Sequence, residues 1–184
     1  MFDPAPPLAW EPPWDPDNDD PLVMISFSTT YQHQEHALQT VLDAVAELRV
    51  RALVTLGPEV EADGFSTPPN VVAEAWVDHA SVLPHAALVV THAGLGTVLA
   101  SLAHGVPLVC LPGGREQPFN AERVEALGVG RSVSADADSA TVRSAVVETL
   151  SDADCRTAAA EVAATIAAHT AREQAVVGVE RLLQ

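Results

Sequence analysis

The stretch LVMISFSTTYQHQEHALQTVLDAVAELRVRALVTL, residues 22–56, decides the fold. Two apolar runs, LVMISF (22–27) and RALVTL (51–56), enclose a segment that begins near Gln34. In that segment apolar residues recur at helical spacing, at Ala37, Leu38, Val41, Leu42, Val45 and Leu48. The period changes from strand to helix and back, which predicts a βαβ unit.

The same alternation continues along the chain. Further strands are expected at 71–76, 87–91, 107–111 and 131–133, and helices at 95–104, 117–127, 139–150, 154–168 and 171–183, with a turn at 79–84. Strands this uniformly apolar are typical of a parallel sheet that is covered on both faces. We therefore predict an α/β domain with a doubly wound, Rossmann-like parallel sheet. Such sheets bind ligands beyond the carboxyl ends of their strands.

Composition limits the function. The chain has 184 residues, nine basic and twenty-five acidic, with a formal net charge of -16, and every basic residue is an arginine. The lack of lysine excludes a Schiff base and the phosphate-binding lysine of a P-loop. The acidic balance argues against nucleic acid and anionic membranes as partners. With no signal peptide and no run of eighteen apolar residues, we expect a soluble cytoplasmic protein.

The first 21 residues differ from the rest, with seven of the fourteen prolines, six acids and no base. We interpret residues 1–21 as an extended arm and residues 22–184 as the folded domain. Trp10 and Trp14 are unusual in such an arm. They either lie on the surface of this domain or contact a neighbour.

Polar residues follow the first predicted strand. Ser28 and Thr29 could cap the next helix or donate to an anion at its N-terminus.

The strand at 87–91 leads into His92-Ala93-Gly94-Leu95-Gly96-Thr97. Gly94 and Gly96 allow a sharp turn and a close approach by a ligand, while the free N–H groups of a helix start favour a negative group. His92 could hydrogen-bond a phosphate oxygen, although a structural role is equally compatible with its position. The motif lacks the third glycine of the dinucleotide fingerprint.

The strand at 107–111 leads into a third polar junction, PGGREQPFN (112–120). Glu116 and Gln117 offer acceptors and donors that could grip the vicinal hydroxyls of a sugar, or could serve as first-turn helix residues. Cys110 and Cys155 have no ligand-like neighbours, so we expect neither a disulfide nor a metal site.

The stretch THAGLGTVLASLAHGVPLVCLPGGREQPFNAERVEALGVG, residues 91–130, resembles the donor-binding signature of the UDP/TDP-glycosyltransferases, especially their bacterial macrolide and antibiotic branch. The resemblance extends over most of residues 22–183. Those enzymes have the GT-B fold, in which two Rossmann-like domains face each other across a cleft. This chain resembles the C-terminal domain, and its arm resembles the linker between the two halves.

The resemblance assigns roles residue by residue. The donor diphosphate would be held by His92, Gly94, Gly96 and Thr97, assisted by Ser28, Thr29 and Asn120. The transferred sugar would be bound by Glu116 and Gln117, and the nucleobase by Trp76 and Val77. No cofactor and no metal are implied.

Two positions depart from the family pattern. Asp78-His79 stands where the family has a Pro-Gln or Pro-His pair, and Ala100 stands where many members place a glutamate on the ribose hydroxyls. An alanine cannot bind a 2′-hydroxyl, so a TDP-sugar is expected in preference to a UDP-sugar.

The family's catalytic base, usually a histidine, belongs to the N-terminal domain, so no catalytic residue is expected among these residues. The resemblance implies inverting transfer of a hexose or deoxyhexose to a small molecule, with this domain binding the donor and turning over poorly alone. The alternatives are a non-catalytic nucleotide-sugar or nucleotide-binding module that acts with a partner protein, and an epimerase half or inert interaction domain. Ala100 and Asp78 are the only residues that support an epimerase half or an inert interaction domain.

Overall fold

The computed structural model describes residues 10–27, 35–57 and 64–170. Six strands in these ranges form one parallel sheet: β1 (Leu22–Ser26), β2 (Arg51–Thr55), β3 (Val71–Glu74), β4 (Ala86–Thr91), β5 (Leu108–Cys110) and β6 (Gly130–Ser132). The helices are α1 (Glu35–Ala46), α2 (His79–Val82), α3 (Leu95–Ala103), α4 (Gln117–Ala126), α5 (Ser139–Ser151) and α6 (Ala153–Thr170). A 3-10 turn, Leu83–His85, joins α2 to β4.

The strand order is β3-β2-β1-β4-β5-β6. The chain therefore winds outward from β1 in one direction and then returns to the other side of β1 at β4. This is the doubly wound order, and its switch point lies between the carboxyl ends of β1 and β4. The predicted fold class is confirmed. The predicted turn at 79–84 is a short helix followed by the 3-10 turn, and the predicted helix at 171–183 lies outside the described residues.

The sheet is apolar on both faces because alternate residues of each strand enter different clusters. Val23 and Ile25 of β1 pack with α1 and α5, whereas Leu22 and Met24 pack with the segment around Leu83. Helices α3, α4 and α6 cover the same face as Leu83, over the other half of the sheet. The helices cover the two faces of the sheet, and the edge formed by the carboxyl ends of the strands lies between the two helical layers.

Residues 10–21, the described part of the arm, pack on this domain. Trp10 and Trp14 lie edge to face with 6.4 Å between ring centroids, and both contact the cluster that contains Leu22 and Met24. The Arg51 guanidinium lies 5.9 Å from the centroid of Trp14, and its Nε donates to the Asp20 carbonyl at 2.7 Å. Of the two readings of the tryptophans, the structure therefore supports packing on the domain's own surface. This packing occurs away from the carboxyl edge, since Leu22 begins β1.

Gly130 is required where β6 joins the sheet. A Cβ at this position would lie 2.1 Å from the carbonyl oxygen of Leu108 and 2.7 Å from Cγ1 of Val124. The backbone of β5 cannot move away without breaking its pairing with β4 and β6.

We expect Gly130→Ala to lower the free energy of unfolding by about 1–3 kcal/mol or more, as overpacked core positions do. Urea unfolding measures this difference. Gly64→Ala is the control, because a Cβ at Gly64 meets no described atom within 4 Å. Equal stabilities for the two variants would contradict the prediction.

Candidate functional site

The junction between β4 and α3 contains the first group of predicted site residues. Ala93 has a φ of 66°, in the left-handed region, and lets the chain turn into α3 within three residues. Gly94 is the N-cap residue, and no side chain of the described residues caps the first turn of α3. The first amides of the helix therefore face the carboxyl edge of the sheet as potential donors to an anion.

His92 lies beneath this turn and is 7% exposed. Its ring is tilted against Phe27, with 6.2 Å between centroids, and its Nδ1 is 3.4 Å from Oγ1 of Thr91. Burial lowers the pKa of His92, opposed by a hydrogen bond with the Ser26 backbone and by the charge of Glu116. The imidazole is thus neutral near pH 7, with one ring nitrogen as a donor and the other as an acceptor.

The two glycines of this junction have different functions. A Cβ on Gly94 would lie 2.5 Å from Nε2 and 2.9 Å from Cε1 of His92, so this glycine makes room for the imidazole. A Cβ on Gly96 would meet no other described atom within 4 Å. Gly96 is exposed, and its missing side chain leaves the start of α3 open to a ligand.

The junction between β5 and α4 contains the second group. Gln117 is 2% exposed, and its Oε1 accepts from the N–H groups of Gly113 at 2.8 Å and Gly114 at 3.1 Å. Arg115 has a φ of 56°, which closes this turn, and the side chains of Arg115 and Glu116 are exposed. Of the predicted sugar-binding pair, Glu116 therefore faces solvent while Gln117 holds its own loop.

The two junctions are joined to each other. Nδ2 of Asn120, a buried residue of α4, donates to the carbonyl of Ala93 at 2.9 Å, and the Leu111 N–H donates to the Thr91 carbonyl at 2.8 Å. Glu116 is close enough to His92 to raise the pKa of the imidazole. The structure thus brings together His92, Gly94, Gly96, Thr97, Glu116, Gln117 and Asn120, while Ser28 and Thr29 lie outside the described residues.

A cavity of about 270 Å³ opens beside this site at the ends of β1, β2 and β3. It includes Trp76 and Val77, the residues predicted to bind a nucleobase, and the indole of Trp76 is 63% exposed. The other lining residues are Ser26, Phe27, Thr55, Gly57, Ala75, Asp78 and His79. Sequence reasoning missed Phe27, Thr55 and Gly57. Gly57 follows β2 by two residues and has a φ of 81°. A glycine just after a predicted strand was the sequence signal that could have found these residues, because the turn after a strand lies at the ligand-binding edge of the sheet.

The departures from the family pattern have identifiable structural roles. Asp78 is the N-cap of α2, with its Oδ1 accepting from the Ala80 N–H at 3.0 Å. Burial lowers the pKa of His79, opposed by the charge of Asp78. Ala100 is half-buried against the cluster that includes Val77 and Val82, so the surface there is apolar.

The two cysteines have no reactive character. Burial raises the pKa of Cys110 to about 12, and burial also raises that of Cys155. Residues 10–27, 35–57 and 64–170 contain no group of three or more His, Cys, Asp or Glu side chains arranged to hold a metal ion. In these ranges no helix is long and apolar enough to cross a membrane.

Residues 39–182, more than three quarters of the chain, match the family described as erythromycin biosynthesis protein CIII-like, C-terminal domain. The chain belongs to this family. It is 33% identical over 128 residues to a demethyllactenocin mycarosyltransferase of Streptomyces fradiae, a match that covers 68% of this chain and 28% of the relative. It is 35% identical over 129 residues to a 4′-demethylrebeccamycin synthase of Lentzea aerocolonigenes, covering 69% and 30%.

Solved structures confirm the fold of the family. The glycosyltransferase of kitacinnamycin superposes with a TM-score of 0.84 at 29% identity, covering 94% of this chain and 45% of that structure. The calicheamicin glycosyltransferase CalG4 gives 0.82 at 31% identity, covering 98% and 47%. The chain thus spans under half of these structures and about a third of the curated relatives. Its fold matches one half of the two-domain glycosyltransferases in these structures.

The contact between Gly94 and His92 generates a test. We expect Gly94→Ala to displace the imidazole from its buried position and to lower the free energy of unfolding by about 1–3 kcal/mol. Urea unfolding provides the measurement.

Gly96→Ala is the matched control two residues away. Its Cβ enters open space in the first turn of a helix, where alanine is favoured over glycine by up to about 1 kcal/mol. The prediction is wrong if Gly94→Ala is as stable as Gly96→Ala.

Proposed function

We propose that this domain binds a nucleoside diphosphate sugar as the donor of an inverting glycosyl transfer. The observation that carries the proposal is the convergence of three features at one point of the sheet edge. The uncapped start of α3, the imidazole of His92 and the carboxylate of Glu116 come from two different junctions. A nucleoside diphosphate sugar requires an anion-binding site for its diphosphate and, beside it, a carboxylate that accepts hydrogen bonds from the sugar.

The diphosphate is proposed to bind at the start of α3. Gly94, Gly96 and Thr97 present backbone amides, and the helix dipole favours negative charge. The charge of a bound diphosphate would favour the protonated imidazole of His92, which could then donate from below. This arrangement suits a chain with net charge -16 and no lysine, because the attraction comes from backbone dipoles. Ser28 and Thr29, which follow β1 in the sequence, are proposed to assist. Asn120 can also approach the phosphates, since its bond to Ala93 uses one of two amide hydrogens.

The transferred sugar is proposed to lie over Glu116 and Gln117. Glu116 is exposed and can accept from sugar hydroxyls. Gln117 holds the loop through its Oε1 and would support the floor on which the sugar lies.

The nucleoside is proposed to enter the cavity of about 270 Å³ next to the diphosphate site. Trp76 and Val77 would pack along the base. The methyl side chain of Ala100 cannot bind a ribose 2′-hydroxyl, and a hydroxyl buried without a partner is unfavourable. We therefore propose a TDP-sugar in preference to a UDP-sugar.

The proposed reaction is a direct displacement at the anomeric carbon, in the cleft between two domains of the GT-B fold. A base of the N-terminal domain would take the proton of the acceptor hydroxyl, whose oxygen attacks the anomeric carbon as the bond to the diphosphate breaks. The start of α3 and His92 would stabilise the charge on the departing diphosphate without a metal ion. This domain alone would then bind the donor but turn it over poorly.

Calorimetric titration of the chain with TDP, and separately with UDP, tests the proposal. We expect both to bind, TDP more tightly, and His92→Ala to weaken TDP binding by about 1–3 kcal/mol through loss of a charge-assisted hydrogen bond. Absence of binding by either nucleotide would contradict a donor site in this domain. Unchanged affinity in His92→Ala would remove His92 from that site.

Gly96→Val extends the experiment to the backbone. A valine side chain would occupy the open space at the start of α3, so we expect TDP binding to be lost while the domain stays folded. Circular dichroism and urea unfolding control for folding. A folded Gly96→Val variant with full affinity would show that the ligand does not approach this turn.

A further inference from the structure

Two buried amide side chains lie one turn apart at the start of α4. Gln117 accepts from Gly113 and Gly114 of its own junction, whereas Asn120 reaches across to Ala93 of the other junction. Positions three apart lie on the same face of a helix. The first turn of α4 therefore holds both loops of the proposed donor site.

Ala93 is the residue whose conformation needs such support. Its φ of 66° is unfavourable for a residue with a Cβ, and its side chain is fully buried, so no solvent contact stabilises the turn. Residues in this region persist where their surroundings hold them. The Asn120 bond at 2.9 Å fixes the direction of the Ala93 carbonyl, and hence of the peptide that leads to Gly94.

Both neighbours of Ala93 belong to the proposed diphosphate site. His92 precedes it, and Gly94, which follows it, packs against the imidazole and is the N-cap residue of α3. A rotation at Ala93 would therefore move His92 and the first amides of α3 relative to each other.

We infer that Asn120 is a positioning residue, which holds Ala93 in its left-handed conformation and thereby sets His92 and the start of α3 in register for a diphosphate. The role in binding rests on the proposed function. The effect on His92 does not, because it exists in the ligand-free protein.

The first measurement is the titration of His92 by NMR without ligand, with its signal assigned by comparison with His92→Ala. In Asn120→Ala the turn loses its tether and water reaches the imidazole. We expect the pKa of His92, which burial lowers in the native chain, to rise toward its ordinary value. We also expect the Kd for TDP to rise about fivefold, the value of one hydrogen bond. Glu122→Gln, an exposed change on the same helix, should alter neither.

The possible results separate the two proposals. A shifted His92 titration supports the positioning role even if the native chain does not bind TDP, and in that case only the donor function fails. An unshifted titration with weakened TDP binding would overturn the inference and assign Asn120 to direct ligand contact. If neither the His92 titration nor the Kd for TDP changes, Asn120 contributes only packing and the inference is wrong.

Asn120→Asp serves if Asn120→Ala fails to fold, because it keeps the shape of the side chain. Its protonated carboxyl can donate to Ala93, whereas the ionised form faces the carbonyl without a hydrogen. Burial raises the pKa of such a carboxyl in the folded state, so stability present at low pH is lost as the pH rises through that value. We expect its stability relative to the native chain to fall as the pH rises above about 4, the ordinary pKa of an aspartate in the unfolded chain. A constant difference would overturn the inference.

Discussion

The position of β1 between β2 and β4 is the constraint on which the rest of the structure depends. All three strands are parallel, and β1 pairs with β2 from Leu22–Arg51 to Ser26–Thr55 and with β4 up to Ser26–Thr91. The connections from β1 and β4 leave the sheet toward opposite faces, since α1 and α3 cover different sides. A crevice therefore opens between the two strand ends, and the proposed donor site lies in it.

The electrostatics of this crevice differ from those of the whole chain. A protein with sixteen excess negative charges repels phosphates at long range, but salt screens that repulsion within about 10 Å at ordinary ionic strength. Backbone amides at a helix start act at hydrogen-bond distance, where screening is weak. His92 adds a buried imidazole whose pKa burial lowers in the ligand-free protein. The site can thus accept an anion without a lysine or a cluster of arginines.

Much of this architecture was predictable from sequence. The alternation of apolar runs with helical patterns predicted all six strands that the described residues form. The long signature at 91–130 indicated the family, which the match over residues 39–182 confirms. Boundaries differed by a few residues, as at β3, expected at 71–76 and observed at Val71–Glu74. Strand ends depend on which backbone groups find partners, and the partner strand is remote in sequence.

The sequence by itself determined the strands and helices, the polar junctions and the family. Periodicity and local motifs are properties of residues that are neighbours in the chain. Only the tertiary structure decided which way the junction side chains point. The sequence predicted Gln117 and Asn120 as ligand contacts, and the structure adds that Gln117 Oε1 accepts from Gly113 and Gly114 and that Asn120 donates to Ala93. Gly94 and Gly96 looked alike, yet one makes room for His92 and the other faces open space. Asn120 and Ala93 are 27 positions apart, and only the parallel pairing of β4 with β5 brings their junctions into contact.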